Sequence, residues 1–313
     1  MAHVINDLGH LGSFLGLGFE GEYSNLKADQ VLPGKTGRTI FVCVDLEAFE
    51  FDQKKILEVG FATLDSHNLV GKAPGEGGSA WLEGIKSHHY IVKERRHLVN
   101  KRYVKGCPEG FVFGQSQITP ILETQALLRR HFSEPRSIPG SAISNGPDDE
   151  APSVYIVAHG LKNDTSLMKN FGIDNIYDTG INGQIDTQKL CSPKKKPASL
   201  KRLLDALEIP YEHLHNAAND ATYTLQALVK MIFMEKFAPE DLAVRINLVK
   251  NPPHDPNKLP KNKRRPKGEG ESRGKVTVLT ESETSPKQAL GKRKHETDVK
   301  NGNESGEKLQ DGT

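Results

Sequence analysis

Ile40 to Val44 form an unbroken apolar run, IFVCV, that stops on Asp45-Leu46-Glu47. Five consecutive apolar residues, three of them β-branched, predict a strand buried on both faces in the middle of a sheet. A polar turn over Phe49 to Lys55 and a second run, Ile56 to Leu64, predict its antiparallel partner, and a third strand is expected at His88 to Val92 after the Gly-rich break GKAPGEGGSA. Thr119 and Pro120 supply N-cap and first-turn chemistry for a helix in which Ile121, Leu122, Leu128 and Phe132 recur at helical spacing. A surface loop rich in Ser, Pro, Gly and Asp then leads to a second β-branched run, Val154 to Ala158, which also ends on a polar cluster, His159 to Asp164. Leu167, Met168 and Phe171 mark the buried face of a helix that Gly172 stops. Gln184 to Leu190 reads as another strand. Pro197 and Ser199 open a helix striped by Leu200, Leu203, Leu204 and Leu207 and ended by Pro210, and the last helix spans about Ala217 to Glu235.

The two ends of the chain break this pattern. Residues 1–35 are rich in Gly and Leu with neither helical nor strand period, and read as an irregular N-terminal extension. Beyond about Asn251 the chain is rich in Pro, Lys, Gly and Glu and nearly devoid of aromatics, a composition that cannot bury enough surface to offset its ordering entropy. The expected division is therefore an extension over 1–35, one domain over 36–248 and a disordered basic and polar tail over 249–313.

Charge and cysteine content sharpen the picture. The net charge of +2 is uneven: Asn251 to Thr313 carry 14 Lys and Arg against 10 Asp and Glu, or +4, which leaves −2 for the rest. Cys43, Cys107 and Cys191 are far apart and form no CxxC pair, against both a disulfide framework and a zinc site. No apolar run approaches the ~18 to 20 residues that cross a bilayer, and the N-terminus lacks a basic leader, so an unsecreted protein without membrane contact is expected. Clusters at Lys261 to Lys267 and Lys292 to Lys294 fit nuclear import, a nucleic-acid arm or a plain solvated tail, leaving nucleus and cytoplasm both open. Lys194-Lys195-Lys196 and Arg129-Arg130 fit either a phosphate backbone or solvated surface.

The candidate chemistry lies where the apolar runs stop. On a strand, Asp45 and Glu47 leave the same face about 7 Å apart, and two such carboxylates are tolerated when a cation sits between them. Asp164 follows the second buried run. Asp220 opens the last helix, five residues after His215. The order is D-x-E, a single Asp after a later strand, then His-x4-Asp.

Over Arg38 to Glu235 this pattern resembles the DEDDh branch of the proofreading-type 3′ to 5′ exonucleases. The stretches SLKRLLDALEIP and LHNAANDATYTLQAL are similar to a fungal branch named after an mRNA-export factor. The resemblance implies an α/β, ribonuclease-H-like fold with a mixed central sheet flanked by helices. It implies that Asp45, Glu47, Asp164 and Asp220 hold two Mg²⁺, with Mn²⁺ as a substitute, and that His215 is the general base. Two such ions about 4 Å apart activate a water and shield the leaving oxygen, and hard ions take oxygen ligands rather than thiolates. Histidine suits proton transfer near neutral pH.

The expected substrate is single-stranded nucleic acid, RNA favoured over DNA through the fungal branch, with an RNA-export or silencing protein as a partner. Leu46 and Phe49 are candidate nucleic-acid contacts; Phe49 fits base stacking and a core position equally. Many relatives read His-Asn-x-x-Phe-Asp at the second motif, whereas this chain reads His159-Gly160-Leu161-Lys162-Asn163-Asp164 and loses an amide and an aromatic substrate contact. The stretch Asp65 to Ser153 is long for the family and is expected to cover or shape the nucleotide channel. Two rivals stand beside the nuclease: a noncatalytic RNA-binding adaptor that keeps the fold, and an enzyme for small nucleotides or capped ends.

Overall fold

The computed structural model describes residues 2–17, 32–33, 37–138, 151–192 and 196–252. In chain order the elements are β1 (His3–Ile5), α1 (Leu8–Phe14), β2 (Thr39–Phe49), β3 (Asp52–Asp65), α2 (Ser79–Leu82), β4 (Lys86–Val92), β5 (Ser116–Thr119) and α3 (Ile121–Ser133). They continue as β6 (Ser153–Ala158), α4 (Leu161–Asn170), β7 (Gly183–Asp186), α5 (Thr187–Cys191), α6 (Leu200–Leu207), α7 (Ala217–Phe237) and α8 (Pro239–Lys250). The strands make one seven-stranded sheet in the order β1-β7-β6-β2-β3-β4-β5. β2 pairs antiparallel with β3 and parallel with β6, so the sheet is mixed, and helices cover both faces in the ribonuclease-H-like arrangement.

β2 is central and buried on both sides, as its apolar run requires. Ile40, Val42 and Val44 pack with Phe61, Leu128, Phe132, Leu167 and Met168 beneath α3 and α4. Phe41 and Cys43 point to the opposite core with Val157, Ile185, Leu225 and Leu228, where α7 lies across the sheet. Strand alternation then puts Asp45 and Glu47 on the α7 side and sends Leu46 and Ala48 to the other. Each fully buried aliphatic side chain contributes about 1.5 to 3 kcal/mol, so the two cores fix this register firmly; a slip of one residue would bury both carboxylates in the α3/α4 core.

α7 reaches the sheet closely because β3 has a glycine beneath it. A Cβ on Gly60 would lie 2.1 Å from the Ala217 carbonyl carbon and 2.2 Å from the Ala218 nitrogen. Gly60 is the cross-strand partner of Asp45, so the first turn of α7 is pressed down beside that carboxylate.

Several expectations need correction. Residues 2–17 are not irregular: β1 adds a parallel edge strand on β7, and Leu11, Leu15 and Leu17 bury the helix and the turn after it. Gly9, Gly12 and Gly16 had masked this helical period. The strand expected over Gln184 to Leu190 ends at Asp186, whose side chain accepts the Gln188 N–H and caps α5. Pro120, not Thr119, holds the cap position of α3, and the Thr119 hydroxyl bonds Thr124 Oγ1 at 2.7 Å instead. α8 was unforeseen and runs to Lys250, past the boundary expected at residue 248. The proposed disordered tail beyond residue 252, with both of its basic clusters, and Lys194 and Lys195 lie outside the described residues. Among the described residues no helix is long and apolar enough to cross a membrane.

Candidate active site

Four backbone devices bring distant carboxylates to the end of β2. The β2/β3 ladder shifts register between Glu47 and Ala48 and again before Phe49, an irregularity that re-aims the strand end beyond the two acids. Asp164 sits in the first turn of α4, 3% exposed, and the backbone N–H of Leu46, between Asp45 and Glu47, is near enough to favour its charged form. Asp220 sits in the first turn of α7, where the helix dipole favours an acid. Its Oδ2 accepts the His215 backbone N–H at 3.1 Å. That bond is available because His215 adopts a left-handed conformation, φ +68°, which costs a non-glycine residue on the order of 1 kcal/mol.

Glu47, His215 and Asp220 each offer a ligand atom, all within 4.8 Å of one another. Asp45 joins them along the wall of a cleft of about 390 Å³, which Leu46, Asn100, Tyr103 and His159 also line. Four of the five residues expected to carry the chemistry, Asp45, Glu47, His215 and Asp220, thus share one cleft; Asp164 does not line it, but lies close enough for its charge to raise the proton affinities of Asp45 and Glu47. Among the described residues no Lys or Arg ion pair reaches the four carboxylates.

The price in electrostatic free energy is visible in their proton affinities. Burial, then the charge of Glu58 and Asp220, pushes Glu47 up to about 8. Burial pushes Asp164 to about 8 and Asp220 to about 7, the latter opposed by the His215 N–H. Asp45 is raised well above the usual carboxylate range by burial and by Asp164. His215 is held below its ordinary value by burial, which favours the neutral imidazole. Asp220 Oδ1 is buried with no hydrogen-bond partner. An orphaned carboxylate oxygen facing other oxygen donors fits a hard divalent cation, and the donor set is the oxygen-rich one such ions select. Asp45, Glu47, Asp164 and Asp220 would hold it.

Sequence reasoning missed the residues that hold this group in place. Glu58 is the cross-strand partner of Glu47; its Oε2 lies 3.0 Å from His89 Nε2 and accepts the Ala217 N–H at 3.3 Å, tying the sheet to the start of α7. Asn219 accepts the Val112 N–H and donates to the carbonyls of Gly110 and His213, while Asn216 donates to those of Cys107 and Pro108. Together they staple the long loop after β4 to the His215 turn. Asn100 donates to the Ala48 carbonyl and accepts the Glu50 N–H, clamping the same loop to the strand end. The available signal was the pair of asparagines flanking Ala217-Ala218 in HNAAND: Asn216 is the helix cap, and the second, Asn219, is surplus to capping.

The two candidate nucleic-acid contacts sit differently. Leu46 is 4% exposed and packs its side chain in the α3/α4 core, so that side chain is largely withdrawn from solvent. Phe49 is half-buried, edge-on to Phe51 at 5.3 Å between centroids. In the second motif, Gly160 takes φ +93° and gives its N–H to Asp186, Leu161 fills the buried slot, and Asn163 reaches the cleft wall.

A family model described as DNA polymerase III subunit epsilon-like, C-terminal domain (DEDDh_C) matches residues 40–231. Three relatives match as well. YDR514C of Saccharomyces cerevisiae is 28% identical, covering 66% of this chain and 44% of its own. The nucleolar protein C2C4.08 of Schizosaccharomyces pombe is 29% identical over 61% of this chain and 68% of its own. The "Good for full DBP5 activity protein 2" of S. cerevisiae is 26% identical over 62% of this chain and 35% of its own. The chain thus spans less than half the length of the two S. cerevisiae relatives. A solved structure of exonuclease I aligns at 12% identity with a TM-score of 0.40, over 67% of this chain and 44% of that one.

Proposed function

The chain belongs to the DEDDh exonuclease superfamily, and from that premise we propose that it is a divalent-metal-dependent 3′ to 5′ exonuclease acting on single-stranded nucleic acid, with RNA favoured. The observation that carries the proposal is that Asp45, Glu47, Asp220 and His215 share one cleft, with Asp164 close enough to act on the charge of Asp45 and with Asp220 Oδ1 buried and unpartnered. Two Mg²⁺, or Mn²⁺ in their place, would lie among the four carboxylates and supply charge stabilisation at the phosphoryl oxygens and at the leaving oxygen.

The protein's own residues do the rest. The neutral imidazole of His215 accepts a proton from the attacking water, whose oxygen forms a bond to phosphorus as the bond to the 3′ oxygen of the preceding nucleotide breaks. The products are a nucleoside 5′-monophosphate and a strand one residue shorter, its new 3′ oxygen protonated from solvent. Glu58 and Asp220, by holding the Ala217 and His215 N–H groups, keep that imidazole aimed at the cleft.

A noncatalytic adaptor that retains the fold is the second reading, and the relative named for DBP5 activity favours it. A nuclear location is supported by the nucleolar relative and by the basic composition beyond residue 252. Digestion of 5′-labelled single-stranded RNA and DNA with Mg²⁺, with EDTA, and with Asp45→Ala and His215→Ala decides between the two. A ladder shortening from the 3′ end only in wild type with metal is expected. Untouched strands under every metal condition overturn the nuclease and favour the adaptor.

A further inference from the structure

We propose that Tyr103, on the long loop after β4, is a stacking residue that takes a base of the bound strand at the rim of the cleft. The assignment rests on the cleft being a nucleic-acid site. Tyr103 lines the same cleft as Asp45, Glu47, His215 and Asp220, yet its side chain is 69% exposed. Beside it Phe51 is 58% exposed, with ring centroids 6.0 Å apart. Single exposed aromatics are ordinary on a protein surface, but here two adjacent rings stand open at the mouth of a site.

The loop that presents Tyr103 is fixed. The Glu50 carboxylate accepts the backbone N–H groups of Lys101, Arg102 and Tyr103, at 3.1, 3.0 and 2.8 Å, and Asn100 clamps the segment to the end of β2. The backbone that carries the aromatic is therefore fixed before any ligand arrives, which lowers the entropy lost on binding. Its flanks are cationic: Lys101, Arg102 and Lys105 are all exposed, and the Arg102 guanidinium lies 5.5 Å from the Tyr103 ring centroid. An open ring bordered by positive charge complements a base joined to phosphates, and every base offers a π-face. In a duplex those faces are already stacked, so the occupant is a single strand. The base concerned lies outside the carboxylate cluster, upstream of the terminal nucleotide.

The test uses the full chain and fluorescence anisotropy of labelled oligonucleotides, with Ca²⁺ replacing Mg²⁺ and strand length checked on a gel. Tyr103→Ala should bind a single strand about tenfold more weakly, and Tyr103→Phe, which keeps the ring, should bind as wild type. A strand with abasic residues next to its 3′ terminal nucleotide should lose a similar factor with wild type and nothing further with Tyr103→Ala. Equal binding by Tyr103→Ala, or an abasic loss undiminished in that variant, overturns the stacking site. Cleavage by wild type is measured separately in Mg²⁺. No cleavage with the Tyr103 coupling intact removes the nuclease and keeps the stacking site; cleavage without the coupling does the reverse. A wild type that binds no single strand overturns both.

Discussion

Gly60 and Ala217 touch backbone to backbone: a β-carbon on Gly60 would lie 2.1 Å from the Ala217 carbonyl carbon. Glycine is required there by contact rather than by dihedral angle. Asp45 pairs with Gly60 across the sheet, and Asp220 lies one helical turn past Ala217, so this contact sets how near the two carboxylates come.

Gly60→Ala should therefore push the start of α7 away from the sheet. Overpacking of this kind costs about 1 to 3 kcal/mol, and a displacement of about 1 Å at the chemistry costs on the order of a hundredfold in rate. Thermal melts should show a lower but cooperative transition, with Mg²⁺-dependent turnover falling to about 1%. Unchanged turnover would mean that α7 does not set the site.

The carboxylates predict an unusual pH dependence. Glu47 and Asp164 at about 8 and Asp220 at about 7 stand above the ordinary range near 4. The folded metal-free chain thus binds more protons than the unfolded one between those limits. This contribution to stability is complete below about pH 4 and is lost as pH rises through about 7 to 8. Divalent ions must displace the same protons, so their affinity climbs over that window. Melting temperature in EDTA should fall from about pH 5 to about pH 9, and the rise given by saturating Mg²⁺ should grow. A metal-induced rise that stays constant with pH contradicts this.

Asn219 links three parts of the site through one buried amide. Asn219→Ala leaves the Val112 N–H and the Gly110 and His213 carbonyls to find new partners. Each buried group left unsatisfied costs about 1 to 3 kcal/mol. Hydrogen exchange should accelerate across residues 106–115 while the amides of β2 and β3 stay protected. Equal protection in the variant would show that the loop is held by other means.

Much of the fold and site was legible from apolar runs and the polar residues at their ends. Ile40 to Val44 gave the central strand, its sudden end gave Asp45 and Glu47, and Val154 to Ala158 gave the neighbour that delivers Asp164. The His215 to Asp220 spacing is local and survives in any helix start, so it too could be read. Glu58 could not: it is a charged residue within the second run, and only the β2/β3 register places it opposite Glu47. α1 was hidden because glycines diluted its period, although Leu11, Leu15 and Leu17 are wholly buried, and β1 because three residues are too short to show a period. The loop after β4 has no period at all; its order comes from the side chains of Glu50, Asn100, Asn216 and Asn219 bonding distant backbone, a relationship that only tertiary structure supplies.

Four carboxylates from three separate parts of the chain are proposed to gather divalent cations at one point. Anomalous diffraction from crystals soaked in Mn²⁺ measures this directly. Two peaks are expected among Asp45, Glu47, Asp164 and Asp220, with at least one lost in Asp220→Asn. An absence of manganese density among these four groups, in crystals that cleave neither RNA nor DNA when dissolved, would contradict the account.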